Sequence, residues 1–197
     1  EIKIPEKAVK ITKAECNKET GICYPPGLPG QGLPGQGIYD FEVESDKGAY
    51  SAKAIILALG ARHKKLGVPG EKEFDAKGVS WCSTCDASLF ADKDVAVIGG
   101  GNAGLEAAVD LFPYASKIYL LEYSDTLKGD PVTQDQVRQN PKAEIILQAQ
   151  IKEIIGDKFV KSLVYIDRKA NEEKKLDVGG IFIEIGSVPN SEIVKGM

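Results

Sequence analysis

No stretch of this sequence approaches the ~18 consecutive apolar residues that a membrane span needs. The longest apolar run, around Ala54–Ala61, is strand-sized. A signal peptide is also lacking, so the chain reads as cytoplasmic with no membrane partner. Positive charge is in deficit: 25 Lys and Arg stand against 29 Asp and Glu, a net charge of -4. That removes the case for nucleic acid, which would need a clustered basic face. Four cysteines in 197 residues are too few for a disulfide-dense secreted scaffold. Histidine occurs once; His63 follows Arg62 in a polar stretch and reads as solvated surface rather than catalysis. Methionine occurs once, at Met197, and the chain starts at Glu1. An initiator methionine is therefore absent, and the sequence reads as a piece of something longer.

What remains is ordinary: 43% hydrophobic and 27% charged, with length for one or two small domains. Residues 1–62 read as β-rich. Ala8–Lys13 and Tyr39–Ser45 alternate like half-buried strands, and Asp46-Lys47-Gly48 turns the chain. Ala54–Leu59 is a continuous apolar run, as expected of a strand covered on both faces. Between them Tyr24–Gly37 holds two copies of Gly-Leu-Pro-Gly-Gln. Proline removes donors and glycine resists ordering, so this segment reads as a mobile loop, with a Pro-rich docking ligand the lesser reading. Ala61–Lys77 is polar, contains Gly67, Pro69 and Gly70, and reads as a linker. The expected organisation is a first segment 1–62, a linker 63–77, a nucleotide domain 78–188 and a return segment 189–197.

From residue 94 the pattern is strand, glycine turn, helix, strand, which signals a parallel sheet with crossover helices. Val95–Ile98 runs straight into Gly99-Gly100-Gly101-Asn102-Ala103-Gly104. Leu105, Ala108, Val109 and Phe112 then follow at helical spacing, Pro113 stops the helix, and Lys117–Leu121 is the next strand, ending at Glu122. Gly99, Gly101 and Gly104 match the dinucleotide fingerprint, and here a strand precedes it and a helix follows. The first glycine allows the tight turn, the second lets backbone approach a pyrophosphate, and the third lets helix and strand pack closely. The helix start then offers free N–H groups to phosphate. Glu122 lies 21 residues beyond Gly101, where an acid about 20 residues on accepts bonds from the adenine ribose. A carboxylate there repels a 2′-phosphate, and Lys128 is the only cation in Glu122–Asp130. The pattern therefore predicts NADH over NADPH. The competing reading is a glycine turn with no ligand. Beyond it, Asp130-Pro131 predicts a capped helix to about Asn140. Ala143–Leu147, Ile151–Ile155, Phe159–Ile166 and Ile181–Ile185 read as strands, and Asp167–Lys174 as a charged turn.

Cys82 and Cys85 form a C-x-x-C just before the Rossmann strand. Such a pair can close a small disulfide ring, and one thiol can become a thiolate near neutral pH. Asp86 follows directly and could move the proton. Three alternatives stay open: two small buried residues, a static disulfide, or half of a zinc site completed by Cys16 and Cys23.

C-x-x-C-D followed by VAVIGGGN resembles the thioredoxin reductase family, and within it the branch of the alkyl hydroperoxide reductase flavoproteins. The resemblance runs from Ala54 to about Lys195 through AIILALGAR, LGVPGE, CSTCDASLF, DVAVIGGGNAGLEAAVDL, LLEYSDTLKGD, QDQVR and GGIFIEIGSVPN. It implies an α/β flavoenzyme: a Rossmann-like NAD(P)H domain with a parallel sheet and a β-meander, beside a partial, β-rich remnant of an FAD domain at 1–62 and 189–197. It implies that Cys85 faces the flavin, that Cys82 attacks the substrate disulfide and that Asp86 is the acid. It implies NADH around Gly99, Gly100, Gly101, Asn102, Ala103, Gly104, Glu106, Glu122 and Gly186, and FAD in the intact protein near Gly60 and Ala61. The implied partner is a thioredoxin-like or glutaredoxin-like protein, or an attached thioredoxin-fold domain, and the implied assembly is a homodimer. The chain departs from the pattern at Leu59, Ala87 and Ala103, where the family usually carries Thr, Gly and Ser or Thr, and its Tyr24–Gly37 loop resembles an insertion. The rival function is an isolated nucleotide-binding or regulatory module with structural or zinc-binding cysteines.

Overall fold

The computed structural model describes residues 8–13, 15–16, 23–24 and 41–195. Two compact units divide the chain, one of Glu1–Arg62 with Pro189–Met197 and one of His63–Val188. Among the described residues no helix is long and apolar enough to cross a membrane.

In the first unit, β1 (Ala8–Lys13), β2 (Phe41–Ser45) and β3 (Ala49–Ala52) form an antiparallel sheet in that order. The β2–β3 turn is tied by Ser45, whose N–H donates to the Gly48 carbonyl at 2.7 Å and whose Oγ accepts the Lys47 and Gly48 N–H groups at 3.1 Å. Backbone at Glu15–Cys16 pairs antiparallel with Cys23–Tyr24. The glycine- and proline-rich loop at 25–37 lies outside the described residues. The run Ala54–Leu59 departs from expectation. It joins no ladder, and Ile56 is 95% exposed. A continuous apolar run becomes a buried strand only where neighbouring strands take up its N–H and C=O groups. No described strand does so here.

The second unit is built on β4 (Val79–Ser80), β5 (Asp94–Ile98), β6 (Lys117–Leu121), β7 (Ala143–Ile146) and β11 (Gly180–Ile183). These form one parallel sheet in the order β7-β6-β5-β11-β4. Two helices, α2 (Asn102–Leu111) and α3 (Pro131–Gln139), make the crossovers β5–α2–β6–α3–β7. A short helix α1 (Ser83–Asp86) follows β4. Between β7 and β11 lies an antiparallel meander, β8 (Ala149–Gly156), β9 (Val160–Asp167) and β10 (Glu172–Asp177).

Strand side chains alternate between faces, so one strand serves two cores. Val95 and Val97 of β5 and Ile118 and Leu120 of β6 pack with Leu105, Ala108 and Leu111 of α2. Ala96, Ile98 and Leu121 turn the other way, onto Ala149 and Ile154 of β8 and Leu163 of β9. Each fully buried side chain of this size contributes roughly 1.5–3 kcal/mol, and the sheet draws on both layers. Pro113 follows α2, and Lys142 Nζ donates to the Phe112 and Ala115 carbonyls at 2.8 and 2.9 Å, satisfying acceptors the helix end leaves open. Asp130 caps α3, its Oδ2 accepting the Thr133 N–H at 3.0 Å, with Pro131 in the first turn.

Two segments fold more than their composition suggests. The polar stretch expected as a linker at 63–77 is partly core. Glu71 is buried and accepts the Leu66 and Gly67 N–H groups at 3.0 and 2.7 Å, while Phe74 packs against Val79, Ile154 and Val160. One buried aromatic and one carboxylate capping the loop override the glycine and proline signals. The charged segment expected as a turn at Asp167–Lys174 turns only at 168–171, where Asn171 has φ 56°. Its remainder is β10, an outer strand whose charges pair across the ladder: Lys174 with Asp167 at 2.6 Å, and Lys152 of β8 with Glu173. Charged residues suit an edge strand, so their density did not mark a loop. Phe74→Ala should lower stability by about 3–5 kcal/mol in urea unfolding; a loss under about 1 kcal/mol would return this segment to linker status.

Candidate dinucleotide and dithiol site

A cleft of about 760 Å³ opens above the carboxyl ends of β5, β6 and β11. Ligands in open parallel sheets bind at that edge. The glycine turn forms its floor, and each glycine answers to a different constraint. Gly99 has φ 119°, and a side chain there would overlap the Glu184 backbone. A side chain at Gly104 would overlap the Gly99 carbonyl, so α2 and β5 could not approach. At Gly100 an added Cβ would lie 2.7 Å from Leu127 and 2.9 Å from Glu122 Oε2. Gly101 is different. It has ordinary φ (-85°), and an added Cβ would meet nothing within 4 Å. Folding does not require glycine there, yet it faces the cleft, where a bare backbone lets a pyrophosphate come close. No side chain caps α2 at Gly101, so its first N–H groups stay open to an anion.

Glu122 closes the far side. Its Oε2 accepts the Gly100 N–H at 2.6 Å, and its Oε1 accepts the Ser124 N–H at 2.8 Å. Burial pushes its carboxyl up, but the bonds from Ser124 and Gly100, with the Lys128 charge behind them, leave it below its ordinary value. It is therefore a fixed anion with lone pairs left for a sugar hydroxyl. Asn102 braces the rim through Oδ1, which accepts the Asp130 N–H at 2.7 Å. Gly99, Gly100, Gly101, Asn102, Ala103, Glu122 and Gly186 all line the cleft. Gly104 lies behind the turn, buried, and Glu106 is exposed and outside the cleft wall. Gly60 (φ 65°) and Ala61 belong to the other unit.

Several wall residues gave no signal in the sequence because distant segments bring them in. Lys65 lines the cleft and also sits 3.5 Å over the ring of Trp81. Arg168 is not part of the wall; it comes from the β9–β10 turn, stacks 4.1 Å over the wall residue Tyr123 and donates to its carbonyl at 3.0 Å. It is a second cation, beside the residue that follows Glu122, that a reading confined to Glu122–Asp130 cannot find. Glu184 lies half-buried in the wall. Burial, then the charge of Asp110, pushes its carboxyl up to about 7.

Cys82 and Cys85 are joined in a disulfide, Cα to Cα 5.3 Å, with Cys85 exposed and its N–H donating to Cys82 Sγ at 3.2 Å. Asp86 accepts the Ser80 hydroxyl at 2.7 Å, and Ser80 Oγ accepts the Cys82 N–H at 3.1 Å. The three residues therefore share one short network. Sulfurs bonded to each other present no thiolate to a metal.

Gly101→Ala should keep the wild-type urea midpoint yet weaken NADH binding at least ~10-fold by calorimetry, since only the ligand meets the added methyl. Unchanged affinity would remove Gly101 from the phosphate cradle. Glu184 carries a sign that can be checked. Its folded value of about 7 exceeds its ordinary 4.5, so between those pH values the native state holds a proton the unfolded chain has released. Its stability contribution is lost as pH rises through that window. Glu184→Gln should therefore raise the urea midpoint at pH 8 and leave it near wild type at pH 4; equal effects at both would refute the burial argument.

The comparisons with known proteins agree with this geometry. The model of the pyridine nucleotide-disulphide oxidoreductases matches residues 31–197. The chain is 46% identical over 157 residues to an NADH dehydrogenase of Bacillus subtilis, covering 79% of this chain and 31% of that protein. It is 47% identical over 150 residues to an alkyl hydroperoxide reductase component of Pseudomonas aeruginosa, covering 76% and 29%. Its fold matches the crystal structure of Lactococcus lactis thioredoxin reductase with a TM-score of 0.74 and 34% identity, over 82% of this chain and 54% of that one. The chain thus spans less than a third of the first two of these relatives. The family works with FAD and NAD(P)H. On its glycine turn, its disulfide next to the Rossmann strand and a family match over most of its length, the chain belongs to the pyridine nucleotide-disulphide oxidoreductases, in the α/β fold of the thioredoxin reductases.

Proposed function

We propose that the intact protein is a flavin-dependent NADH disulfide oxidoreductase of thioredoxin reductase type. The observation that carries this reading is the pairing, within one compact unit, of a dinucleotide-shaped cleft with a C-x-x-C disulfide. When bound, NADH supplies a hydride and FAD relays its electron pair. The chain's own residues supply the rest. Gly101 and the open start of α2 hold the pyrophosphate, and Glu122 orients the ribose and disfavours a 2′-phosphate. Gly186 and Glu184 shape the wall at the end of β11.

Reduction breaks the Cys82–Cys85 bond, takes up two electrons and yields two thiols on uptake of two protons. Asp86, held by Ser80, is the proposed proton carrier. Cys82 then attacks the disulfide of a thioredoxin-like or glutaredoxin-like protein, or of an attached thioredoxin-fold domain. Cys85 re-forms the internal bond and releases that partner reduced. FAD is assigned to the first unit, near Gly60 and Ala61, from the family.

The test uses the full-length protein with FAD and a generic aromatic disulfide. NADH should drive thiol release with kcat/KM at least ~10-fold above NADPH, and Cys85→Ser should abolish it while NADH still binds. Glu122→Ala should narrow the NADH preference roughly 10-fold, the scale of a lost charged hydrogen bond. Activity surviving Cys85→Ser refutes the dithiol role. Unchanged selectivity in Glu122→Ala refutes the ribose contact.

A further inference from the structure

Asp110 occupies the last turn of α2, the helix whose first turn opens on the dinucleotide cleft. Its Oδ2 accepts the Ser83 hydroxyl at 2.7 Å and lies 3.5 Å from the Thr84 hydroxyl. Ser83 and Thr84 are the two residues between the cysteines, and Ser83 is buried. The dithiol segment is thus fastened through its own central residues to the dinucleotide helix. Nothing in the fold demands a carboxylate for this: a neutral oxygen would accept the same hydroxyl.

Among the described residues no salt bridge engages Asp110. Glu184, after β11, has its carboxyl pushed up first by burial and then by the charge of Asp110. The charged groups set around the dithiol segment are the carboxyl groups of Asp86 from its own helix and Asp110 from α2, and the ammonium of Lys65, which lies 3.5 Å over the ring of Trp81 next to Cys82.

We propose that Asp110 is a positioning residue for the dithiol: it holds Ser83 and Thr84 from the dinucleotide helix and sets a carboxylate against Ser83, the residue that follows Cys82, keeping the reduced pair strongly reducing. The proposal rests on the dithiol reading above and deepens it. The half-reaction is the cleavage of the Cys82–Cys85 bond by two electrons, with two protons taken up to give two thiols. A nearby anion disfavours the thiolate that either thiol can release. It therefore leaves the reduced form less stabilised relative to the disulfide, and the pair donates its electrons more readily.

The experiment titrates the pair in the full-length, FAD-loaded protein against reduced and oxidised dithiothreitol at pH 7 and pH 9, counting alkylated Cys82 and Cys85 by mass spectrometry. Asp110→Asn keeps an oxygen for Ser83 and removes the charge. At pH 9, where a thiolate forms, it should shift the equilibrium about threefold toward the dithiol, about 15 mV for a two-electron couple, with a smaller shift at pH 7 where both thiols hold their protons. Asp110→Ser, a second charge-free variant, should shift it the same way at pH 9, and Asp110→Glu should leave the midpoint at its wild-type value. A role limited to holding the segment predicts a wild-type midpoint in Asp110→Asn. A midpoint unchanged at pH 9 in both charge-free variants, with urea midpoints showing them folded, overturns the proposal. Failure of NADH to reduce the pair in the wild-type protein would instead sink the dithiol reading itself.

Discussion

The second unit depends on a contact that only hydrogen permits. α2 crosses β5 so closely that a methyl group at Gly104 would overlap the Gly99 carbonyl. That approach draws the first turn of α2 over the end of the sheet and points its open N–H groups into the cleft. Glu122 fixes the geometry from the neighbouring strand by gripping the Gly100 N–H at 2.6 Å. The bond ties two strand ends together and at the same time keeps an anion where a sugar hydroxyl can reach it. Stability and binding are served by the same few atoms. Substitution at Gly99 or Gly104 therefore breaks the fold first, whereas Gly101 separates the two roles.

The sheet supports this arrangement because both faces are covered. Val95 and Val97 meet the helices, while Ala96 and Ile98 meet the meander. The first unit offers a contrast. Ile56 and Leu57, as apolar as any residue of β5, lie exposed where no described strand flanks them. Apolar composition alone did not decide burial; partners for the backbone did.

What was legible in the sequence was local. The glycine turn, the acid at the end of β6, the Asp130–Pro131 helix start and the C-x-x-C each place their cause and effect within a few residues or one crossover. The α/β class followed from them. What was not legible arrives from far along the chain. Phe74 looks like one aromatic in a polar linker until Ile154 and Val160 fold onto it. β10 looks like a charged turn until Asp167 and Lys152 supply the opposite signs across the ladder. Arg168 reaches Tyr123 across 45 residues, and Asp110 reaches Ser83 across 27. Spacing rules read periodicity, and they are blind to pairings of this kind.

Trp81 is the only indole in the chain. It stands next to Cys82, keeps its Nε1 buried without a hydrogen-bond partner, and carries on its face the ammonium of Lys65, which also lines the cleft. An indole so placed is an optical gauge between the two reactive centres. An anion entering the cleft competes for Lys65, and a change of sulfur oxidation state alters the residue bonded to Trp81. Emission from this one ring therefore follows both events without any added label, and stopped-flow traces can order them in time.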